Sequence, residues 1–109
     1  MTSERLAEEM VLELCRGARQ AARVLAVAGS EQKNRALLGL ARALLDEAEG
    51  LKAANALDLE AGRAAGLSKA MLDRLTLSDQ VIAAMAEGLR EVAALPDPVG
   101  EVTGMWRRP

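Results

Sequence analysis

The sequence contains no histidine and only one cysteine, Cys15. Histidine is the commonest metal ligand and the commonest general base, so both kinds of site lose their usual side chain. A single cysteine cannot form a disulfide within the chain, and without histidine it cannot complete a structural zinc site. Cys15 is expected within a helix, where we interpret it as a buried structural residue and not as a nucleophile. The sequence therefore predicts no catalytic residue and no metal site.

Recognition motifs for nucleotides, membranes and nucleic acids are missing as well. None of the nine glycines belongs to a GxGxxG or GxxxxGK[ST] pattern. No stretch approaches the roughly 20 apolar residues that span a bilayer, and the N-terminus lacks the features of a secretory signal. A net charge of −2 argues against a nucleic-acid partner. We expect a cytoplasmic protein with no cofactor site in this chain, no nucleic-acid partner and no membrane partner.

Half of the residues are apolar, and they are mostly Ala, Leu, Val and Met, with neither Phe nor Tyr. Such small and flexible side chains suit packed helices better than a β-sandwich. Apolar spacings of three and four residues predict a helical region over residues 1–95. Its predicted helices are residues 3–28, 31–49, 51–65, 69–75 and 79–95. Local signals mark their ends: N-caps at Ser30, Ser68 and Ser78, left-handed C-caps at Gly29 and Gly66, and cap or turn residues at Asn55 and Asp58.

Residues 96–109 have a different pattern from the helices. Pro96 and Pro98 stop the last helix, and the following VGEVTGMWRRP alternates and carries β-branched residues. This pattern predicts a β-strand over about residues 99–108, for which no upstream segment offers a partner. Arg107 and Arg108 follow Trp106, but neighbouring residues of a strand point to opposite faces. We therefore interpret the two arginines as surface charges on an edge strand.

A long stretch of the chain resembles a known enzyme family. KNRAL is followed, in order and spacing, by KAANALDLEAGRAAGLS, AMLDRL and LPDPVG, as in the N-terminal region of gamma-glutamyl phosphate reductase, also called glutamate-5-semialdehyde dehydrogenase. The resemblance extends from about Ala18 to Pro109. It implies a mainly α segment from the start of an aldehyde dehydrogenase-like α/β enzyme, ending in one truncated strand of the oligomerisation sheet.

The resemblance also implies a reaction, an NADPH-dependent step of proline biosynthesis. The family reduces L-glutamyl 5-phosphate to L-glutamate 5-semialdehyde and releases phosphate, after a cysteine thiolate attacks the acyl phosphate. Family members are several times longer, and their catalytic cysteine and NADPH site lie beyond the matched part. Within it, Asp73 and Arg74 are candidates for substrate contact, because an arginine fork suits a carboxylate or phosphate. The alternative is that they tie a short helix to its neighbours.

Two functions stay open at this point. One is the N-terminal part of such a reductase, inactive by itself, whose longer parent acts on glutamyl phosphate. The other is a stand-alone helical interaction module without enzymatic activity. In the parent, the nucleotide domain would cover the apolar helix faces and a second strand would pair with the last one. Without these covers we expect exposed apolar faces and an open strand edge, both of which promote self-association.

Overall fold

The computed structural model describes residues 2–109, and this part of the chain contains five α-helices and no β-strand. The helices are α1 (Ser3–Ala26), α2 (Ser30–Asp46), α3 (Ala48–Ala64), α4 (Lys69–Leu75) and α5 (Asp79–Ala94). The chain forms two compact units. The central unit is Lys33–Pro96, and the terminal unit combines the residues up to Gln32 with Asp97–Pro109. Within residues 2–109 we find no candidate for a membrane-spanning helix.

Serine side chains cap the N-termini of α4 and α5 in the central unit. The side chains of Ser68 and Ser78 accept hydrogen bonds from the backbone N–H three residues later, at 3.3 and 3.2 Å. The predicted N-caps of α4 and α5 are thereby confirmed. Ser30 behaves differently, because α2 begins at Ser30 itself and its hydroxyl donates to the Asp97 carboxylate at 2.8 Å.

The end of α3 is a left-handed cap at Gly66, whose φ is +79°. The N–H of Leu67 donates to the carbonyl of Gly62, and the N–H of Gly66 donates to the carbonyl of Arg63, both at 3.0 Å. This pair of bonds is the Schellman motif, and it confirms the predicted cap. The corresponding prediction for Gly29 is wrong, because Gly29 does not have a positive φ.

Small side chains let the helices of the central unit approach one another. Gly62 of α3 is buried, and a Cβ placed on it would lie 3.0 Å from Leu67 Cδ1 and 3.1 Å from Leu72 Cδ2. The backbone of α3 therefore contacts leucine side chains directly. Three further apolar residues, contributed by α2 and α5, are almost fully buried: Ala41, Ile82 and Ala86.

The C-terminal segment is not a strand, so the strand predicted at residues 99–108 is wrong. The chain instead makes a β-turn, in which the N–H of Glu101 donates to the carbonyl of Pro98 at 3.2 Å and Gly100 has a φ of +89°. The residues after the turn are exposed and have no regular secondary structure. The physical reason is that a strand takes its backbone hydrogen bonds from a neighbouring strand, and residues 2–109 contain none.

Candidate functional site

The two residues predicted to contact substrate lie next to each other on α4. Asp73 and Arg74 are exposed, and neither side chain has a hydrogen bond or ion pair with any residue between 2 and 109. The part of the chain that the structure describes thus shows no polar contact by which these two side chains tie α4 to its neighbours. Arg74 borders a shallow depression of about 350 Å³ that is also lined by Leu67, Met71 and Leu75. Its guanidinium has its donors available for an anionic group, and substrate contact stays a prediction.

The tie between α3 and the α4–α5 connection comes instead from Asn55. This side chain is only 6% exposed. Its Nδ2 donates to the carbonyl oxygen of Leu75 at 2.9 Å, and its Oδ1 accepts from the backbone N–H of Leu77 at 2.8 Å. The amide acts as a peptide group would, and it satisfies one donor and one acceptor of an irregular segment.

Asn55 and Asp58 were both predicted as cap or turn residues, and both predictions are wrong because the two residues lie inside α3. Asn and Asp disfavour helix interiors when their side chains compete for the local backbone. Asn55 avoids this competition because its amide is engaged by backbone groups at least 20 residues away. No local signal in the sequence distinguishes this role from a cap.

One turn before Asn55, Lys52 forms a second polar link from α3. Its Nζ lies 2.7 Å from Oδ1 of Asp79, the first residue of α5, and 2.8 Å from Oε1 of Glu49. The hydrogen bonds to Asp79 and then to Glu49 raise the pKa of Lys52 above its ordinary value. The Lys52 side chain is 28% exposed, so solvent partly screens both pairs. Lys52 holds the start of α5, a structural role that sequence reasoning missed.

Cys15 is a free and exposed residue of α1. Our interpretation of it as a buried structural residue is wrong, because α1 has no buried residue among those described. Among residues 2–109, no group of three or more His, Cys, Asp or Glu side chains could hold a metal ion. The site therefore offers an unpaired arginine, and no metal centre within this range.

Apolar surface is the other prominent feature of both units. In the central unit, a groove of about 520 Å³, named here the α2–α5 groove, is lined by Leu40, Leu44, Met85, Gly88, Leu89 and Val92. In the terminal unit, the large apolar side chains of α1 are exposed, with Met10 at 64% and Leu14 at 71%. Exposed apolar helix faces were expected, and surfaces of this kind mark sites of protein association.

Comparison with known proteins shows that this chain is similar to the beginning of reductases. A protein of Moorella thermoacetica is 62% identical over 92 residues, which are 84% of this chain. One of Syntrophomonas wolfei is 54% identical over 102 residues, or 94% of this chain. Both are named gamma-glutamyl phosphate reductase. No protein-family model matches the chain.

A solved structure agrees with the sequence relatives. The crystal structure of gamma-glutamyl phosphate reductase from Thermotoga maritima superimposes with a TM-score of 0.81 and 36% identity, over 89% of this chain and 23% of that one. The chain is therefore homologous to gamma-glutamyl phosphate reductase, and the resemblance seen in its sequence is confirmed. It spans only 22 to 24% of the length of the curated relatives described above.

Proposed function

We propose that this chain forms the helical N-terminal part of an NADPH-dependent gamma-glutamyl phosphate reductase of proline biosynthesis. The enzyme would act in the cytoplasm and convert L-glutamyl 5-phosphate to L-glutamate 5-semialdehyde and phosphate. The observation that supports the proposal most strongly is that sequence and fold agree on one enzyme, with 62% identity to the Moorella protein and a TM-score of 0.81 to the Thermotoga structure.

In this proposal the chemistry belongs to the part of the enzyme that the chain does not match. That part would supply the cysteine thiolate that displaces phosphate from the acyl phosphate, and it would hold the NADPH that serves as the hydride donor. Cys15 is a poor candidate for that nucleophile, because it lies on an exposed helix of a chain without histidine. The chain alone should neither bind NADPH nor reduce glutamyl phosphate.

In this proposal, Arg74 contributes to substrate binding, with Asp73 beside it. The Arg74 guanidinium has no partner among residues 2–109 and lies at the edge of an apolar depression. An arginine fork can bind a carboxylate or phosphate through two parallel hydrogen bonds, and glutamyl phosphate carries both groups.

A chimera tests the proposed function directly. In this chimera, the segment of the Moorella reductase that aligns with this chain is replaced by the chain itself. We expect NADPH oxidation that depends on glutamyl phosphate, whereas the isolated chain should show no NADPH binding by calorimetry. Saturable micromolar binding of NADPH to the isolated chain would contradict the proposal that the cofactor binds elsewhere in the enzyme. A folded but inactive chimera would contradict the proposed function.

The role of Arg74 is tested by Arg74→Ala in the same chimera. We expect kcat/KM for glutamyl phosphate to fall by about tenfold or more, mainly through KM, because a charge-assisted hydrogen bond contributes about 1.5–3 kcal/mol. Arg63→Ala is the control, since Arg63 is an exposed arginine at the end of α3. Equal kinetics for the two variants would show that Arg74 does not contact the substrate.

A stand-alone interaction module is the second candidate, and the exposure of α1 favours it. A helix whose apolar residues are all accessible is suited to a partner or to a second copy of the chain. Size-exclusion chromatography with light scattering and a thermal melt separate the two candidates. Cooperative melting of a defined species would favour an independent module, whereas loose, non-cooperative melting would favour a part of a larger enzyme.

A further inference from the structure

One face of α1 carries large side chains in its first half and very small ones in its second half. A depression of about 510 Å³ lies on this face and is lined by Met10, Glu13, Leu14, Gly17, Ala18 and Ala21. Met10 and Leu14, named here the α1 ridge, are 64% and 71% exposed. Gly17 and Ala21, named here the α1 hollow, follow at helical spacing on the same face, and a Cβ on Gly17 would meet nothing within 4 Å. The face therefore offers both a projection and a recess to a partner.

The ridge and the hollow lie symmetrically about the midpoint between residues 15 and 16. Two copies of α1 that pack antiparallel about a two-fold axis at this midpoint place Leu14 opposite Gly17 of the second copy, and Met10 opposite its Ala21. Large side chains then meet small ones at every level, so that the helices interlock without voids, and the glycine permits a close approach. A partner of unrelated sequence would not require this symmetry, which favours a second copy as the occupant.

The charges of α1 favour the same antiparallel orientation. The first half of the helix is mostly acidic and the second half is purely basic, with Glu4, Arg5, Glu8, Glu9 and Glu13 followed by Arg16, Arg19 and Arg23. None of these side chains has an ion pair with any residue between 2 and 109. An antiparallel pair sets the acidic half of each copy beside the arginines of the other and places the helix dipoles head to tail. A parallel pair would instead set like charges side by side.

We infer that α1 is a self-association surface, through which two copies of this chain pair antiparallel with Leu14 of each copy packed against Gly17 of the other. The inference rests on the shape and the charge of α1, two properties that lead independently to the same arrangement. It uses residues of the terminal unit alone and depends on neither of the two functions proposed above.

Sedimentation equilibrium of the whole chain measures this pairing, and substitutions test its register. Leu14→Gly removes half of the ridge and Gly17→Leu fills the hollow. Each change acts twice in a two-fold dimer, so we expect either one to raise the dimer dissociation constant at least about tenfold. In the double variant the two residues are exchanged and large again meets small. Its dissociation constant should return to within about threefold of the wild-type value.

The matched control is Leu12→Gly, which makes the same substitution on the opposite side of α1. Leu12 is 46% exposed and lies two residues before Leu14, which is more than half a helical turn away. The control has the same cost in helix propensity as Leu14→Gly but leaves the paired face intact. We expect it to change the dissociation constant by less than about threefold.

The orientation is measured by pulsed electron paramagnetic resonance between spin labels on one engineered cysteine. With Cys15→Ser as background, Ala26→Cys places the label on the exposed last residue of α1. At about 1.5 Å per residue, the antiparallel register separates the two labels by about 30 Å or more, whereas a parallel pair in register brings them within about 20 Å of each other.

A wild-type dimer with the long label distance, weakened by each single substitution and restored by the exchange, would support the inference. A chain that stays monomeric up to millimolar concentration would overturn it, as would the short label distance. Equal weakening by Leu14→Gly and Leu12→Gly, or a double variant no tighter than the single ones, would overturn the register on which it depends. None of these measurements uses enzymatic activity. Failure of the pairing would therefore leave the proposed reductase standing, and an inactive chimera would leave the pairing standing.

Discussion

The helices α1 and α3 differ in a way that local sequence does not anticipate. α1 has 24 residues and is the more strongly amphipathic of the two, yet none of its described residues is buried. α3 has 17 residues and a weaker apolar stripe, yet it buries Asn55 and Gly62. An apolar stripe shows which face of a helix needs a cover, whereas burial requires a neighbour in contact. α3 has such a neighbour in α4, to which a short turn joins it.

The residues through which α3 contacts its neighbours are polar or lack a side chain. A search for hydrophobic periodicity therefore does not identify them. An amide at Asn55, an ammonium at Lys52 and a missing side chain at Gly62 hold the segments around α4 and the start of α5. Substitutions at these positions, paired with matched positions elsewhere, measure how much of the stability each contact provides.

The largest effect is expected from Asn55→Ala, which removes both hydrogen bonds between α3 and the α4–α5 connection. It leaves the carbonyl of Leu75 and the N–H of Leu77 without their partner. We expect the free energy of unfolding to fall by about 2 to 3 kcal/mol in urea titrations followed by circular dichroism. Glu60→Ala, at an exposed position of the same helix, is the control and should change stability by less than about 0.5 kcal/mol. Equal effects would show that the amide bridge is unimportant.

The next largest effects are expected from alanine substitutions of one glycine in α3 and one in α1. The two substitutions should change stability in opposite directions. Gly62→Ala inserts a Cβ 3.0 Å from Leu67 Cδ1, so we expect a loss of about 1 to 2 kcal/mol. Gly17→Ala in α1 meets nothing within 4 Å and should stabilise that helix by about 0.5 to 1 kcal/mol. Thermal melts of both variants provide the comparison. Stabilisation by Gly62→Ala would mean that Leu67 and Leu72 move aside at little cost.

A smaller effect on stability is expected from alanine substitutions of the glycines that follow α3 and α1. Gly66→Ala forces an L side chain to a φ of +79° after α3, and we expect a loss of about 1 kcal/mol. Gly29→Ala after α1 is the matched substitution, because Gly29 has neither a positive φ nor a neighbour within 4 Å of the added Cβ. It should be neutral or slightly stabilising. Equal losses in denaturant titrations would contradict the left-handed cap at Gly66.

The smallest effect concerns Lys52 and appears at alkaline pH. Folding raises the pKa of Lys52 above its ordinary value of 10.5, so its ion pairs with Asp79 and Glu49 stabilise the fold fully below pH 10.5. The stabilisation is lost as the pH rises through the folded-state pKa. The stability difference between the wild type and Lys52→Met should therefore shrink at high pH and also in high salt. A double-mutant cycle with Asp79→Asn checks the pairing, and a coupling that persists after Lys52 deprotonates would contradict it.

The features that the sequence predicted correctly are local ones. Ser68, Ser78 and Gly66 were identified because a cap uses backbone groups within a few residues of itself. The prediction of a strand at residues 99–108 was wrong because an alternating sequence pattern suits a sheet but does not supply the neighbouring strand. The roles of Asn55 and Lys52 in joining α3 to later segments were not predicted, because Leu75, Leu77 and Asp79 lie 20 or more residues further along the chain.

The candidate site, like the fold, was predictable only in its local features. Arg74 was singled out for its guanidinium chemistry, and its exposure and lack of a partner among residues 2–109 became visible only in the structure. The α2–α5 groove requires two helices separated by more than 30 residues to lie together, which no local pattern describes. Homology, in contrast, was readable from the order of a few short motifs.

The sequence by itself determined the helical character of the chain, three of its caps and its relation to gamma-glutamyl phosphate reductase, because each of these is encoded in neighbouring residues or in their order. The tertiary structure decided which helix faces are covered, which polar side chains hold segments together and whether the last residues form a strand. Those properties depend on groups brought together from distant parts of the chain, since burial and hydrogen bonding require a partner in space.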